Sequence, residues 1–175
     1  MNASVENHPL GATGVWSAAL RYGDAAAAAE AAAELESLGY GALWVPDVGG
    51  DLFGALENLL EATSTATIAT GILNLWMHTP EETAARYNEF VSGFGERLML
   101  GIGVSHAPLA NMLKEGQYKK PLARTTEYLD RLDEADPAVP VQHRMLAALG
   151  PKMLELAKDR TAGSHPYLVT PEHTA

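Results

Sequence analysis

The stretch TIATGILNLWMHTPEETAARYNEFVSGFG, residues 67–95, decides the fold because it predicts a strand followed directly by a helix. Residues 67–75 form a mainly apolar run of strand length. Residues 79–82, Thr-Pro-Glu-Glu, predict a capping box with proline at the first helical position. Apolar side chains then recur at helical spacing before Gly95, at Ala84, Tyr87, Val91 and Phe94.

Similar strand–helix units lie on both sides of this stretch. The predicted pairs are 14–20 with 25–38, 42–45 with 51–62, 98–104 with 121–135, and 144–149 with 151–160. A sixth strand is predicted at 164–169, and Thr170-Pro171-Glu172 would begin another helix. Asp24 is expected to cap the helix that Gly39 ends. Because each strand is a continuous apolar run, the pattern predicts an α/β fold with a parallel sheet covered by helices.

Two architectures fit such a repeat: an open, doubly wound sheet and a closed eight-stranded barrel. Six strands fit an open sheet, whereas a closed barrel needs eight units and typically about 250 residues. The length of 175 residues favours the open sheet. The repeat alone leaves both architectures open.

Composition limits the domain count and the class of partner. A chain of 175 residues, 47% apolar and 19% charged, is typical of a single globular domain, here residues 1–175. The net charge of −10 argues against a nucleic-acid partner. The lack of cysteine excludes disulfides and fits a reducing compartment. With no long apolar run or signal peptide, we expect a cytoplasmic protein without a membrane partner.

Four segments resemble the luciferase-like monooxygenase superfamily, and specifically its deazaflavin (coenzyme F420)-dependent oxidoreductases. The segments are LESLGYGALWVPD, IATGILNLW, GERLMLGIGVSHAPL and AALGPKMLELAKDRTAGSHPYLVTPEHT, at residues 35–47, 68–76, 95–109 and 147–174. The resemblance implies a (β/α)8 TIM barrel of the bacterial luciferase-like type, with about six of eight units present. It implies hydride transfer between an organic, small-molecule substrate and coenzyme F420.

Two alternatives to this activity stay open. One is an FMN-dependent monooxygenase of the same family. The other is a non-catalytic, truncated barrel that acts as a binding or assembly protein. Six units of an eight-stranded barrel would leave two strand edges uncovered, so we expect either further residues or another chain, such as the second subunit of a homodimer, to cover them.

The chemistry of a barrel lies at the carboxyl ends of its strands. At the third strand the resemblance implies a cis peptide bond between Gly71 and Ile72 that backs the flavin-like ring; the alternative is an ordinary buried glycine. Asn74 could hydrogen-bond the polar edge of the ring, or it could cap the end of the strand.

The fourth strand ends in a glycine-containing turn that includes Val104 and Ser105, expected to contact the cofactor. His106 follows and is the expected general acid or hydrogen-bond donor to the substrate, where sugar-phosphate dehydrogenases of the family have a glutamate; the alternative is a structural or merely exposed histidine. After the second strand, Val48 occupies the position of a histidine in those relatives, while Asp47 keeps an acidic group there as a second catalytic candidate.

The fifth strand leads into Leu149, Gly150, Pro151 and Lys152, where a helix begins. The N–H groups of a helix start suit a phosphate of the cofactor, although proline is also an ordinary first helical residue. Motifs for dinucleotides, nucleotide phosphates and zinc are missing from the sequence, so no metal site is predicted. Trp16, Trp44 and Trp76 are expected in the core or the pocket wall.

Overall fold

The computed structural model describes residues 10–113 and 115–174, along which strands and helices alternate. The strands are β1 (Gly14–Trp16), β2 (Ala42–Val45), β3 (Thr67–Thr70), β4 (Leu73–Asn74), β5 (Leu98–Gly103) and β6 (Arg144–Leu146). The helices are α1 (Ala19–Tyr22), α2 (Ala25–Ser37), α3 (Leu52–Ala62), α4 (Pro80–Phe94), α5 (Ala107–Leu113), α6 (Pro121–Glu134), α7 (Pro151–Arg160) and α8 (Pro171–Thr174). A short 3-10 helix, Val141–His143, precedes β6.

The described residues divide into two compact units. The first contains the residues up to Leu73 together with Ala85–Leu100, and the second contains Asn74–Ala84 and the residues from Gly101 onward. Some elements, such as β5, therefore have residues in both units. The single domain predicted for residues 1–175 stays a prediction.

The first unit is built on parallel strands. β1 pairs with β2 and β2 with β3, so that Trp16 lies opposite Trp44 and Trp44 opposite Ala69. β3 continues the pairing through Leu98 and Met99, the start of β5. Every residue of β2 and β3 is buried, as expected for a parallel sheet covered on both faces. The predicted parallel sheet is confirmed here.

α2 and α3 in the first unit begin and end within one residue of the predicted bounds. Asp24 accepts a hydrogen bond from the Ala27 N–H at 3.0 Å and caps α2. Gly39, which follows α2, has a φ of +90°, a conformation that suits glycine. α3 buries its apolar side, which consists of Leu52, Phe53, Leu56, Leu59 and Leu60.

The second unit joins the end of β5 to β6. The Ala147 N–H, just after β6, donates to the Ile102 carbonyl at 2.8 Å. On the other side of β5, the N–H of Leu75, the residue just after β4, donates to the Gly103 carbonyl at 3.1 Å. Ser164 forms a single parallel bridge with Leu146 of β6.

Two predicted strands are wrong in part. The strand predicted at 14–20 stops at Trp16, because the Tyr22 N–H donates to the Ala18 carbonyl and starts the short helix α1. The strand predicted at 67–75 is interrupted between β3 and β4 at Gly71 and Ile72.

Three predictions for the last third of the chain are also corrected. The loop expected before residue 121 contains the helix α5. The strand predicted at 144–149 ends at Leu146. The strand predicted at 164–169 is reduced to the bridge at Ser164, and Pro166 within it lacks the N–H that a ladder requires.

The helices are modest in length. α4, with 15 residues, and α6, with 14, are the longest in the described part of the chain. None of the helices in residues 10–113 and 115–174 is both long and apolar enough to cross a membrane. Within the same residues, no group of three or more His, Cys, Asp or Glu side chains could hold a metal ion.

Candidate functional site

In the first unit the carboxyl ends of β1, β2 and β3 meet around Gly71. The Gly71–Ile72 peptide bond is cis, which confirms the geometry that the resemblance implies. The Gly71 N–H donates to the Val45 carbonyl at 2.7 Å. The Gly71 carbonyl accepts the indole N–H of Trp16 at 2.6 Å. Hydrogen bonds from two neighbouring strand ends therefore fix Gly71.

The loop after β2 turns its acid inward. The Asp47 side chain is only 4% exposed, and its Oδ1 accepts the Gly49 N–H at 3.4 Å. The next residue, Val48, is exposed, and its N–H donates to the Tyr22 hydroxyl at 2.8 Å. Arg21 holds the same loop through a 2.9 Å hydrogen bond to the Gly49 carbonyl. The loop thus buries the carboxylate of Asp47 and exposes the aliphatic side chain of Val48.

In the second unit Asn74 caps the end of β4. Its side chain is buried, and Oδ1 accepts the Trp76 N–H at 3.1 Å. The Trp76 indole N–H donates to the Val104 carbonyl at 2.8 Å. The Gln117 side-chain amide donates to the Trp76 carbonyl at 3.2 Å. The Tyr118 ring packs against the Trp76 ring, with the ring centroids 6.0 Å apart. The capping role, one of the two expected for Asn74, is present.

Ser105 and His106 form the turn after β5. Ser105 has a φ of +54°, in the left-handed region, so the chain changes direction there. The His106 carbonyl accepts the Ala110 N–H at 3.1 Å and begins α5. The His106 side chain is exposed, so its imidazole can exchange protons with a molecule in solution.

The helix predicted after Gly150 is present and accessible. Pro151 is its first residue, and the Met153 and Leu154 N–H groups both donate to the Gly150 carbonyl at 3.0 Å. A Cβ built on Gly150 would have no neighbour within 4 Å. Lys152 is exposed beside it, so an anion has room to approach this helix start.

His165 is not among the predicted site residues. Its N–H donates to the Leu146 carbonyl at 2.9 Å, so it lies at the carboxyl end of β6 in the second unit. Burial lowers the pKa of the His165 imidazole below its ordinary value. A neutral imidazole there can accept a proton or a hydrogen bond. A histidine next to Pro166 was the available signal, but it lay inside a predicted strand.

The tryptophans differ in environment. Trp44 is buried in β2, as expected for a core residue. Trp76 is half-buried in the second unit, whereas Trp16 is exposed at the end of β1. Trp16 therefore belongs to the surface at the strand ends rather than to the core.

Within each unit the predicted site residues share one kind of location, at or just beyond the carboxyl end of a strand. The first unit contains Asp47, Gly71 and Ile72. The second unit contains Asn74, Val104, Ser105, His106, Leu149, Gly150, Pro151 and Lys152.

The chain is similar to known proteins in sequence and in fold. A profile of the luciferase-like monooxygenase family matches residues 5–144. A search of curated proteins finds no match. The fold is similar to that of an F420-dependent secondary alcohol dehydrogenase solved with an F420–acetone adduct, with 16% identity, a TM-score of 0.70, and 85% of this chain and 56% of that chain covered.

Two further solved structures are similar. For the coenzyme F420-dependent tetrahydromethanopterin reductase from Methanopyrus kandleri the identity is 17% and the TM-score 0.69, with 92% of this chain and 56% of that chain covered. For the FMN-bound oxygenating component of 3,6-diketocamphane monooxygenase from Pseudomonas putida the identity is 18% and the TM-score 0.56, with 67% of this chain and 37% of that chain covered.

These likenesses confirm the predicted fold class. The chain has an α/β fold with a parallel sheet of the luciferase-like barrel type, present in part. It spans about 56% of the length of the two F420-dependent chains.

Proposed function

Because the chain belongs to the luciferase-like monooxygenase family, we propose that it is part of a deazaflavin-dependent oxidoreductase, which transfers hydride between an organic substrate and coenzyme F420. The family match over residues 5–144 carries this proposal. The two F420-dependent chains support the choice of deazaflavin, because they match more of this chain, at higher TM-scores, than the FMN-bound chain does. Since this chain spans 56% of their length, activity of the chain by itself is part of the proposal.

A flavin-dependent monooxygenase is the second candidate. The solved FMN-bound monooxygenase shares the fold at a TM-score of 0.56, which supports this alternative. FMN and deazaflavin both have a planar ring and a side-chain phosphate, so one set of strand ends could serve either of them.

In the first unit we assign Gly71 and Ile72 to the cofactor ring. Both polar groups of Gly71 are hydrogen-bonded within the protein, to Val45 and Trp16. What this turn offers a ligand is therefore the half-buried, aliphatic side chain of Ile72, which suits the apolar face of a planar ring.

In the second unit we assign Asn74, Val104 and Ser105 to polar contacts with the cofactor. Trp76 is hydrogen-bonded to both Asn74 and Val104, through its backbone N–H and its indole N–H. The half-buried Ser105 hydroxyl follows directly and can donate or accept a hydrogen bond.

The start of α7 is proposed to bind the phosphate of the cofactor. The proposed phosphate site consists of Leu149 and Gly150, just before α7, and Pro151 and Lys152, its first two residues. Open space surrounds Gly150. The positive end of the helix dipole and the Lys152 ammonium both favour an anion there.

Proton transfer is assigned to His106, with Asp47 as the second proposed group. When bound, the deazaflavin supplies the carbon that exchanges hydride with the substrate. The exposed His106 imidazole donates a proton to the substrate oxygen as a carbonyl becomes an alcohol, or accepts it in the reverse direction. Asp47 is 4% exposed, so it can contact a substrate only after its loop opens.

Titration with coenzyme F420 tests the proposal, with FMN in parallel. We expect the deazaflavin fluorescence to be quenched saturably. Lys152→Ala should weaken the binding of coenzyme F420 about threefold to tenfold, because it removes one exposed charge contact to a phosphate. Lys158→Ala removes the same charge from the last turn of the same helix and should leave the affinity unchanged. Quenching of FMN alone would favour the monooxygenase, and quenching of neither by folded protein would favour the non-catalytic alternative.

We also propose a cytoplasmic homodimer. The sequence lacks cysteine, which fits a reducing compartment. Large apolar side chains at Tyr167 and Leu168 are exposed, which supports association with another chain. Light scattering after size exclusion would give about twice the 18.6 kDa of the chain if the homodimer forms.

A further inference from the structure

We propose that the first unit carries an apolar rim, defined as Trp16, Tyr22 and Val48, which binds the uncharged, apolar body of a substrate that contains a carbonyl or hydroxyl oxygen. The occupant is a small molecule of that class. The inference deepens the proposed function and rests on it for the identity of the occupant as the substrate.

All three residues lie at the carboxyl ends of β1 and β2 and are well exposed. Trp16 ends β1 and is 49% exposed, and Tyr22 in the following helix is 46% exposed. Val48, in the loop after β2, is 56% exposed. In parallel α/β folds ligands bind at this end of the strands, so exposed apolar side chains there lie where a substrate is expected.

The polar side-chain atoms of Trp16 and Tyr22 each form a hydrogen bond within the protein. The only donor of the Trp16 ring, its indole N–H, is bound to the Gly71 carbonyl at 2.6 Å. The Tyr22 hydroxyl accepts the Val48 N–H at 2.8 Å and keeps its own proton for another acceptor. A ligand therefore meets apolar surface and one O–H donor, which matches an apolar molecule with a single oxygen acceptor.

Of the charged groups next to the rim residues in the sequence, Asp47 is buried and Arg21 is hydrogen-bonded to the loop, while Asp24 and Asp51 are exposed as carboxylates. The Asp47 carboxylate is buried beneath the loop. The Arg21 guanidinium donates to the Gly49 carbonyl at 2.9 Å and stacks over the Tyr22 ring, 4.8 Å from its centroid. Arg21 thus fixes the loop and the ring, which lowers the cost of ordering them when a ligand binds. A phosphorylated polyol would find little here to replace its hydration.

Fluorine NMR of protein labelled with 5-fluorotryptophan tests the rim without any cofactor. The chain has three tryptophans, and Trp16→Phe assigns the resonance of Trp16. Cyclohexanone, a neutral apolar ketone, should shift that resonance saturably and leave the resonance of the buried Trp44 in place. Glucose 6-phosphate should shift neither.

Two matched variants measure the contribution of the rim. Val48→Thr keeps the shape of the side chain and replaces one methyl group by a hydroxyl, so the Kd for cyclohexanone should rise about threefold to fourfold. Val141→Thr makes the same change at a valine that is 44% exposed in the second unit, and it should leave the Kd unchanged.

The proposal is overturned if cyclohexanone leaves the Trp16 resonance unmoved, if glucose 6-phosphate shifts it equally, or if both variants change the Kd alike. A Trp16 resonance that shifts with protein concentration and ignores cyclohexanone would also overturn it, since a second copy would then be the occupant. Coenzyme F420 is titrated separately. If coenzyme F420 binds but cyclohexanone does not shift the Trp16 resonance, only the proposal of the rim is refuted. If cyclohexanone shifts the resonance but coenzyme F420 does not bind, only the deazaflavin proposal is refuted.

Discussion

Glu36 should make a pH-dependent contribution to the stability of the first unit. Its carboxylate accepts hydrogen bonds from three consecutive backbone N–H groups, those of Ser64, Thr65 and Ala66, at 2.7–3.1 Å. The Thr65 hydroxyl adds a fourth donor at 3.0 Å. One side chain on α2 thereby accepts the hydrogen bonds of the backbone N–H groups in the turn that leads from α3 into β3.

These donors determine the pKa of the Glu36 carboxyl. Partial burial by itself would raise the pKa, but the hydrogen bonds from Ala66, Thr65 and Ser64 outweigh it and lower the pKa from 4.5 to about 2. A shift of that size corresponds to at most about 3 kcal/mol. Because water screens part of the interaction, we expect Glu36→Gln to cost about 1–2 kcal/mol of the free energy of unfolding at pH 7.

The pH dependence follows from the lowered pKa. The stabilisation is complete above pH 4.5 and is lost as the pH falls towards about 2, because the unfolded chain then binds the proton first. Urea unfolding at pH 7, 4.5 and 3 should show the difference between wild type and Glu36→Gln shrinking as the pH falls. Glu30→Gln, at an exposed position on α2, is the control. Equal stability of Glu36→Gln and wild type at pH 7 would refute the reasoning, and so would a difference that is independent of pH.

Three further predictions concern the second unit. Asp133→Ala should destabilise by about 2 kcal/mol in urea unfolding, because it removes the carboxylate paired with Arg144, whose side chain is buried. Tyr128→Phe should cost about 1–2 kcal/mol, since it leaves the buried Thr83 hydroxyl without its 2.6 Å partner, and a loss below about 0.3 kcal/mol would contradict this. The His165 imidazole should titrate below 6.5 in an NMR pH series, because burial lowers its pKa, and a midpoint above 6.5 would show that it is solvated.

Local signals in the sequence predicted the starts of α3 and α4 correctly, whereas α1 and α5 were not predicted. The Asp51 side chain accepts the Gly54 N–H at 2.9 Å, and the Thr79 hydroxyl accepts the Glu82 N–H at 3.1 Å. Such caps join residues three apart, so the sequence contains the whole interaction. β2 and β3 were predictable for a similar reason, because they are continuous apolar runs.

Strand ends and loop directions were not predictable in this way. The segment around Ser164 could be a strand or a single bridge, depending on partners that lie far away in the chain. Likewise, nothing next to Asp47 in the sequence indicates that it is buried. Its loop is directed by Tyr22 and Arg21, which lie 26 and 28 residues before their hydrogen-bond partners.

The site was predicted best where the family resemblance contributed. The cis peptide bond at Gly71 came from the resemblance and is confirmed. The exposure of Trp16 was not foreseen, because an aromatic residue at the end of an apolar run is more often part of a core. The lowered pKa of His165 depends on burial, which only the folded chain defines.

In the proposed assignment, stability and ligand binding depend on opposite ends of the strands of the first unit. Glu36 and Arg97 act at the amino end of β3, where the Arg97 guanidinium donates to the Ala66 carbonyl at 3.2 Å. The rim residue Trp16 lies at the carboxyl end of β1. In barrel folds the amino ends serve stability and the carboxyl ends serve chemistry. Folded Glu36→Gln protein should therefore bind cyclohexanone at Trp16 with unchanged Kd although it unfolds at lower urea, and a change in Kd of more than about twofold would mean that the two ends are energetically coupled.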